Sequence, residues 1–374
     1  MKKLYTCLPA LVFLLFLGAV VTTLIALPTR EYSENEKRVL AGVPEASVSG
    51  VLDGSVQKAL EDWTADQFPY RDLFVGGNAY WDLLTGRNGA QDIYYGGDGY
   101  LVNAPKPLNR QIFCDNLARF DQFAVDMELP ADLIMVPSTG YLMADKLPRF
   151  HAPYHDDQLY EMAAEALEQV DVIDVRQTLR DGAAGGQVCY RTDHHLTSYG
   201  NYLLYVAYQN AQGAPCLPED AYEVTAFDGF YGTTWSGSGY WQVPPDRVEL
   251  WDSGTPVTVI LQDGTEERKV SDSLFFPAHL DELDKYPVFL DGNHSLVTIR
   301  NPAAKGGDLL VIRDSYAHCF APFLAASYRN IYLLDYRYFR DSASAFLEEH
   351  PVDRILYLYG VDNLLSDTNS AWLN

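Results

Sequence analysis

Ser315 is the residue best placed in this chain to act as a nucleophile. It follows a short apolar run at 309–312 and the pair Arg313-Asp314, and residues 316–328 then carry apolar and small side chains at helical spacing. A serine at the carboxyl end of a buried strand, just ahead of a helix, sits where open α/β sheets place their sites. The N–H groups of the next turn can hold an oxyanion. Pro322 either kinks that helix or marks its start. The plainer alternative is a serine that only caps a helix.

A serine nucleophile needs a base, and the base needs a third group to fix its tautomer. Residues 190–200, Tyr-Arg-Thr-Asp-His-His-Leu-Thr-Ser-Tyr-Gly, offer both. Asp193 and His195 are two apart, so on an extended segment they point the same way and His194 points the other. Adjacent histidines that face apart, with no third ligand at a recognisable spacing, argue against a metal. No cofactor is expected.

The elements that must position these groups alternate. Apolar strands are expected at 133–137, 170–175, 309–312, 330–334 and 354–359, with helical stretches at 110–127, 156–169, 316–328 and 341–349 between or before them. This predicts an α/β fold, a doubly wound, mainly parallel five-stranded sheet. Ser138, Ser315, Asp335, Arg337 and Asn363 lie just beyond strand ends and would gather on one edge. A helix that Thr197 or Ser198 can cap follows the histidines. Between about 215 and 293 helical periods vanish and short aromatic or β-branched runs appear, which reads as a β-rich insertion or lid over the sheet. Residues 94–101 read as a hairpin around Gly-Asp-Gly, and 59–74 as a helix broken at Pro69.

The N-terminus carries Lys2 and Lys3 and then no charge from 4 to 29. That run is long enough to span a bilayer, and the lysines place its start in the cytoplasm. The expected organisation is a signal anchor at 1–29, with a cleaved signal peptide second; a stalk at 30–58; and an extracellular α/β domain at 59–374. Cys114, Cys189, Cys216 and Cys319 would then lie in an oxidising compartment, where Cys189 with Cys216 closes the shorter loop; four free thiols are the alternative. The formal net charge of −24 repels nucleic acid and anionic polymers. A neutral or cationic glycan is easier to accept than a polyuronate.

Thr-Asp-His-His-Leu-Thr at 192–197, Arg-Asp-Ser-Tyr-Ala at 313–317, Pro-Phe-Leu at 322–324 and Asp-Tyr-Arg-Tyr at 335–338 resemble the DHHW proteins, which are similar to the SGNH-like domains of the alginate O-acetyltransferases. Residues 33–40, 67–71 and 97–101 fit the same pattern. The fourth letter of the family's name is Leu196 here instead of Trp. The resemblance implies an SGNH-hydrolase-like fold and a Ser–His–Asp triad of Ser315, His195 and Asp193. It implies an acetyl-serine enzyme that modifies a secreted polysaccharide and takes its acyl group from a membrane-bound O-acyltransferase. Tyr316, Arg337, Asn293, His194 and Ser138 are candidates for substrate contact, with an Arg337–Asp335 salt bridge as the alternative role for Arg337. An esterase or deacetylase would use the same triad with water as acceptor. A non-catalytic glycan-binding scaffold would leave the three groups out of mutual reach.

Overall fold

A computed structural model describes residues 2–264 and 268–373. The chain divides into two compact units, residues 1–91 with 236–242, and residues 92–235 with 243–374.

In the first unit the uncharged run forms a helix, Lys2–Ala26. Its side chains are described from Leu8 onward, apart from residue 25, and most of those are exposed. Among the described residues no helix is long and apolar enough to cross a membrane. Two of the sequence motifs interlock here. Arg38 Nη1 donates to Asp66 Oδ2 at 2.8 Å, and Arg71 Nη1 pairs with Glu36 Oε1 at 2.5 Å. The Arg38 hydrogen bonds outweigh burial and hold the Asp66 carboxyl down to about 2. Pro69 separates helices Ser55–Asp66 and Arg71–Leu84.

The second unit is built on one sheet. Its strands are β1 (Ala131–Val136), β2 (Val170–Val172), β3 (Thr258–Gln262), β4 (Lys269–Ser271), β5 (Leu296–Arg300), β6 (Asp308–Arg313), β7 (Asn330–Leu334) and β8 (Arg354–Gly360). They lie in the order β4-β3-β5-β7-β6-β8-β1-β2. The five expected strands are all present and mutually parallel, from β7 to β2. The sheet is larger than five strands, however. β3 and β4 come from the β-rich stretch and β5 follows it directly; the three add antiparallel beside β7, so the stretch extends the sheet edge as well as covering it. Period-2 patterning over such short runs shows a strand but not its partner. A separate hairpin, Glu223–Phe230 with Asp246–Asp252, also comes from this stretch.

The central strands are apolar on both faces because both are covered. In β6, Leu309 and Val311 pack into one core layer, Leu310 and Ile312 into the other. Helices α1 (Arg110–Met127), α2 (Asp156–Ala166) and α5 (Ala343–Glu349) contribute to the second layer, and α3 (Ser198–Ala211) and α4 (Ala317–Leu324) to the first. Thr197 caps α3, its hydroxyl accepting from Gly200 N. Pro322 lies inside α4 and does not begin it.

The four cysteines described beyond the N-terminal helix are free thiols, so the expected Cys189–Cys216 bridge does not form. Cys189 and Cys319 are buried in the core and behave as small apolar side chains. Burial pushes both thiols up to about 12.

Candidate functional site

Ser315 stands at the carboxyl end of β6, two residues before α4 begins. Its turn is pinned from below by Asp314. That carboxylate is buried and accepts from Tyr316 N at 2.9 Å, Gly360 N at 2.8 Å and Asn363 Nδ2 at 2.6 Å. One side chain therefore ties the ends of β6 and β8 together beside the serine.

The 188–197 segment is a tight loop closed by a bridge between Cys189 and Leu196, not an extended strand. Asp193 Oδ1 accepts both the backbone N–H of His195, at 2.9 Å, and the ring at Nδ1, at 2.5 Å. That local turn, and not strand alternation, aligns the two groups. The other ring nitrogen, Nε2, lies 2.8 Å from Ser315 Oγ. Carboxylate, imidazole and hydroxyl thus form one hydrogen-bonded row across 120 residues of sequence separation. The second Asp193 oxygen is filled by Thr233, which donates its N–H at 2.7 Å and its hydroxyl at 2.9 Å. Burial acts to raise the Asp193 carboxyl, but the neighbouring imidazoles of His195 and His194 and these hydrogen bonds outweigh it, holding the group well below the usual carboxylate range.

The base is held from its face as well as its edge. Tyr286, which precedes β5, stacks on the His195 ring at 3.9 Å and 9°. Its hydroxyl donates to the Ser315 carbonyl at 3.2 Å. Thr192 donates both N–H and hydroxyl to buried Asp246 at 2.7 Å, fastening the loop to the 223–252 hairpin. Thr233, Tyr286 and Asp246 carry no local signal in the sequence, because each lies far along the chain from the group it positions.

His194 does not point away from His195 as alternation implied: the two rings are 3.9 Å apart. Its Nδ1 lies 2.8 Å from Thr233 Oγ1. Burial and the adjacent His195 lower its pKa to about 4, so the ring is neutral at pH 7. The donor atoms of Asp193, His194 and His195 lie within 4.8 Å of one another. An ion there would have to displace the Asp193–His195 bond, and both carboxylate oxygens already accept hydrogen bonds.

The remaining sequence candidates fall into two groups. Tyr316, His194 and Ser138 line one cavity of about 300 Å³, with Thr139, Gly140, Thr233, Lys106, Asp362 and Asn363 among the other walls. Tyr316 donates its hydroxyl to the His194 carbonyl at 2.8 Å. Ser138 is committed to Asp156, giving its N–H at 2.8 Å and its hydroxyl at 2.7 Å. The free donors of that loop are then the first backbone N–H groups of the helical turn Thr139–Leu142. Gly140 is required there, since a Cβ would sit 1.9 Å from the Tyr154 ring. Arg337 and Asn293 are not among the cavity's lining residues. Arg337 Nη2 donates to Asp335 at 2.6 Å and to Asn293 Oδ1 at 3.2 Å. On the other side of Asp335, Arg313 Nη1 binds it at 3.0 Å and meets His318 Nε2 at 2.6 Å. Burial and the Arg313 charge keep His318 neutral, so it serves as a structural acceptor below Ser315.

The order of Asp, His and Ser along the chain, and the shared rim they reach, give the comparison with known proteins its meaning. Residues 178–334 match the DHHW protein family. Residues 131–224 match the SGNH hydrolase-like domain of the acetyltransferase AlgX. The fold superposes on a DHHW family protein from Eubacterium siraeum with a TM-score of 0.64 at 20% identity, covering 75% of this chain and 94% of that one. PatB1 from Bacillus cereus, solved with a sulfonyl adduct, also gives 0.64, at 16% identity, over 75% of this chain and 98% of its own. At such identities the likeness is one of fold, an α/β SGNH-like sheet. No curated protein matches the chain. The DHHW match includes all three members of the row. At the position that gives the family name its final letter stands Leu196, buried in the core layer on the α3 side.

Proposed function

We propose that this protein is an extracytoplasmic serine O-acetyltransferase that acts on a secreted or cell-surface polysaccharide. The observation that carries the reading is the contact of His195 Nε2 with Ser315 Oγ at 2.8 Å, with Asp193 behind the ring. His195 takes the Ser315 proton as Oγ attacks the acyl carbonyl, and returns it to the departing alkoxide of the donor. Asp193 fixes the tautomer and balances the imidazolium. The oxyanion is met by the Ser315 N–H and by the N–H groups at 139–140, each such donor being worth about 3 kcal/mol. In the second half-reaction a sugar hydroxyl gives its proton to His195, attacks the acetyl-serine and releases Oγ, which takes the proton back.

The uncharged run near the N-terminus supports a membrane anchor with the catalytic domain outside. A membrane-bound O-acyltransferase is then the natural acyl source, delivering the group at the membrane face. The second reading, an esterase with the same row, is favoured by one observation: Ser315 is only partly buried, so water reaches it.

The test uses 4-nitrophenyl acetate as donor and short neutral oligosaccharides as acceptors. Acetylated sugar that disappears in Ser315→Ala supports transfer. Free acetate alone supports the esterase. A Ser315 that no acyl or sulfonyl reagent modifies sinks both.

A further inference from the structure

Asp362 stands out in the wall of the cavity beside His194. The cavity measures about 300 Å³, the small end of ligand sites, which suits one sugar ring and little more. Its walls are mostly polar: Asn103, Thr139, Thr234 and Asn363 face it together with Asp362. The other carboxylates nearby are saturated. Asp156 holds Ser138, Asp314 holds Tyr316, Gly360 and Asn363, and Asp193 holds His195 and Thr233. Asp362 differs. Nothing that acts on its carboxylate is a hydrogen bond; only its backbone carbonyl is engaged, by Ser366 Oγ. A carboxylate that lines a cavity and takes no donor from the protein leaves its oxygens open to a ligand's hydroxyls. Tyr316, the residue after Ser315, lines the same cavity, and Asn363 beside Asp362 bonds to Asp314, the residue before Ser315.

The charges around it set the sign of what fits. Burial and the Asp156 charge push the Asp362 carboxyl up to about 6, while Lys106 pulls it down. Tyr154 and Tyr316 also feel its charge, and both are neutral phenols at pH 7. Lys106 is exposed at the rim, where water screens it. Asp362 is less exposed than Lys106, so its charge is screened less, and at neutral pH it is negative.

We propose that this cavity is the acceptor subsite, and that Asp362 selects a sugar ring presenting hydroxyl donors and rejects a uronate. This rests on the acyl-transfer reading, since the sugar must lie beside acetylated Ser315. A hydroxyl donates to the carboxylate and satisfies it. A sugar carboxylate would meet a like charge there and offer it no donor.

The experiment pairs a binding readout with a chemical one, on the whole protein. Cellotriose and trigalacturonate are titrated calorimetrically against wild type and Asp362→Asn at pH 7.5, and Ser315 sulfonylation is followed by mass spectrometry on the same samples. Cellotriose binding weakened about tenfold or more in D362N, the scale of a lost charged hydrogen bond, supports the subsite. So does a narrowed preference over trigalacturonate. Retained sulfonylation shows that the variant is folded around its serine. Equal cellotriose binding by both proteins, or trigalacturonate bound as well as cellotriose by wild type, overturns the subsite whatever Ser315 does. Failure of sulfonylation in wild type, with cellotriose binding still dependent on Asp362, overturns the acyl-transfer reading and leaves a sugar site.

Discussion

Gly232 offers the sharpest test of how the row is held. A Cβ built on it would lie 2.2 Å from Asp193 Cβ, 2.4 Å from Oδ2 and 2.7 Å from Cα. Ordinary carbon contacts begin near about 3.5 Å, so Asp193 must retreat by about 1.3 Å. The carboxylate carries four bonds, two to His195 and two to Thr233, and cannot keep them all through such a shift. Gly232 is not among the residues with positive φ, so alanine meets no backbone penalty and the effect is steric. Misplacement of this size is associated with a rate loss of about a hundredfold, or about 2.7 kcal/mol of barrier. The assay is the rate of Ser315 sulfonylation and of 4-nitrophenyl acetate turnover in Gly232→Ala. It is run well below the melting temperature, because overpacking also costs about 1–3 kcal/mol of stability. A folded G232A that reacts at the wild-type rate would show that the Asp193–His195 alignment does not limit reactivity.

Three further outcomes follow from the same geometry. Asp362, with its carboxyl near 6 when folded and about 4 when unfolded, binds its proton more tightly in the folded chain. Its contribution is therefore full below about pH 4 and is lost as pH rises through about 6. Asp362→Asn should thus gain stability over wild type between pH 4.5 and 7.5, by about 2 kcal/mol once partial solvent contact is allowed for, read as a widening gap in melting temperature. Tyr286→Leu, which removes the ring stacked on His195, should lower kcat/KM about three- to fivefold, while Tyr286→Phe keeps the stack and most of the rate. Equal losses in both variants would assign the effect to the hydroxyl bonded to the Ser315 carbonyl. Arg313→Met should cost about 3–5 kcal/mol in urea unfolding, because fully buried Asp335 loses one of its two cations; a loss below 1 kcal/mol would mean that Arg337 alone suffices.

Much of this was legible in the residues. The five parallel strands could be read from apolar runs bounded by polar turns, and Ser315, His195 and Asp193 from residue type and spacing. What escaped reading was whatever depends on distant partners. Antiparallel β5 looks like any short β-branched run until β7 lies beside it. Alternation placed the 192–195 side chains wrongly because the segment is a loop whose shape is set by Asp193 bonding back to His195 N. The disulfide expectation failed because a cysteine count fixes neither proximity nor burial. Arg337 shows the opposite case: two residues from Asp335, its ion pair could be anticipated from spacing alone.

The antiparallel annex has a consequence for anyone trimming this protein. β5 covers the backbone of β7 along its whole length, from Leu296 opposite Leu334 to Arg300 opposite Asn330. Excising the 215–293 stretch would remove β3 and bare the outer edge of β5, and unseating β5 would bare β7; either leaves a row of unpaired amides and carbonyls on an apolar strand. Such margins recruit other chains and end in aggregates. The segment that brings Tyr286 and Thr233 to the histidine also acts as a guard rail against self-association, so a minimal enzyme made by deleting it should fail in the test tube before its chemistry can be asked about.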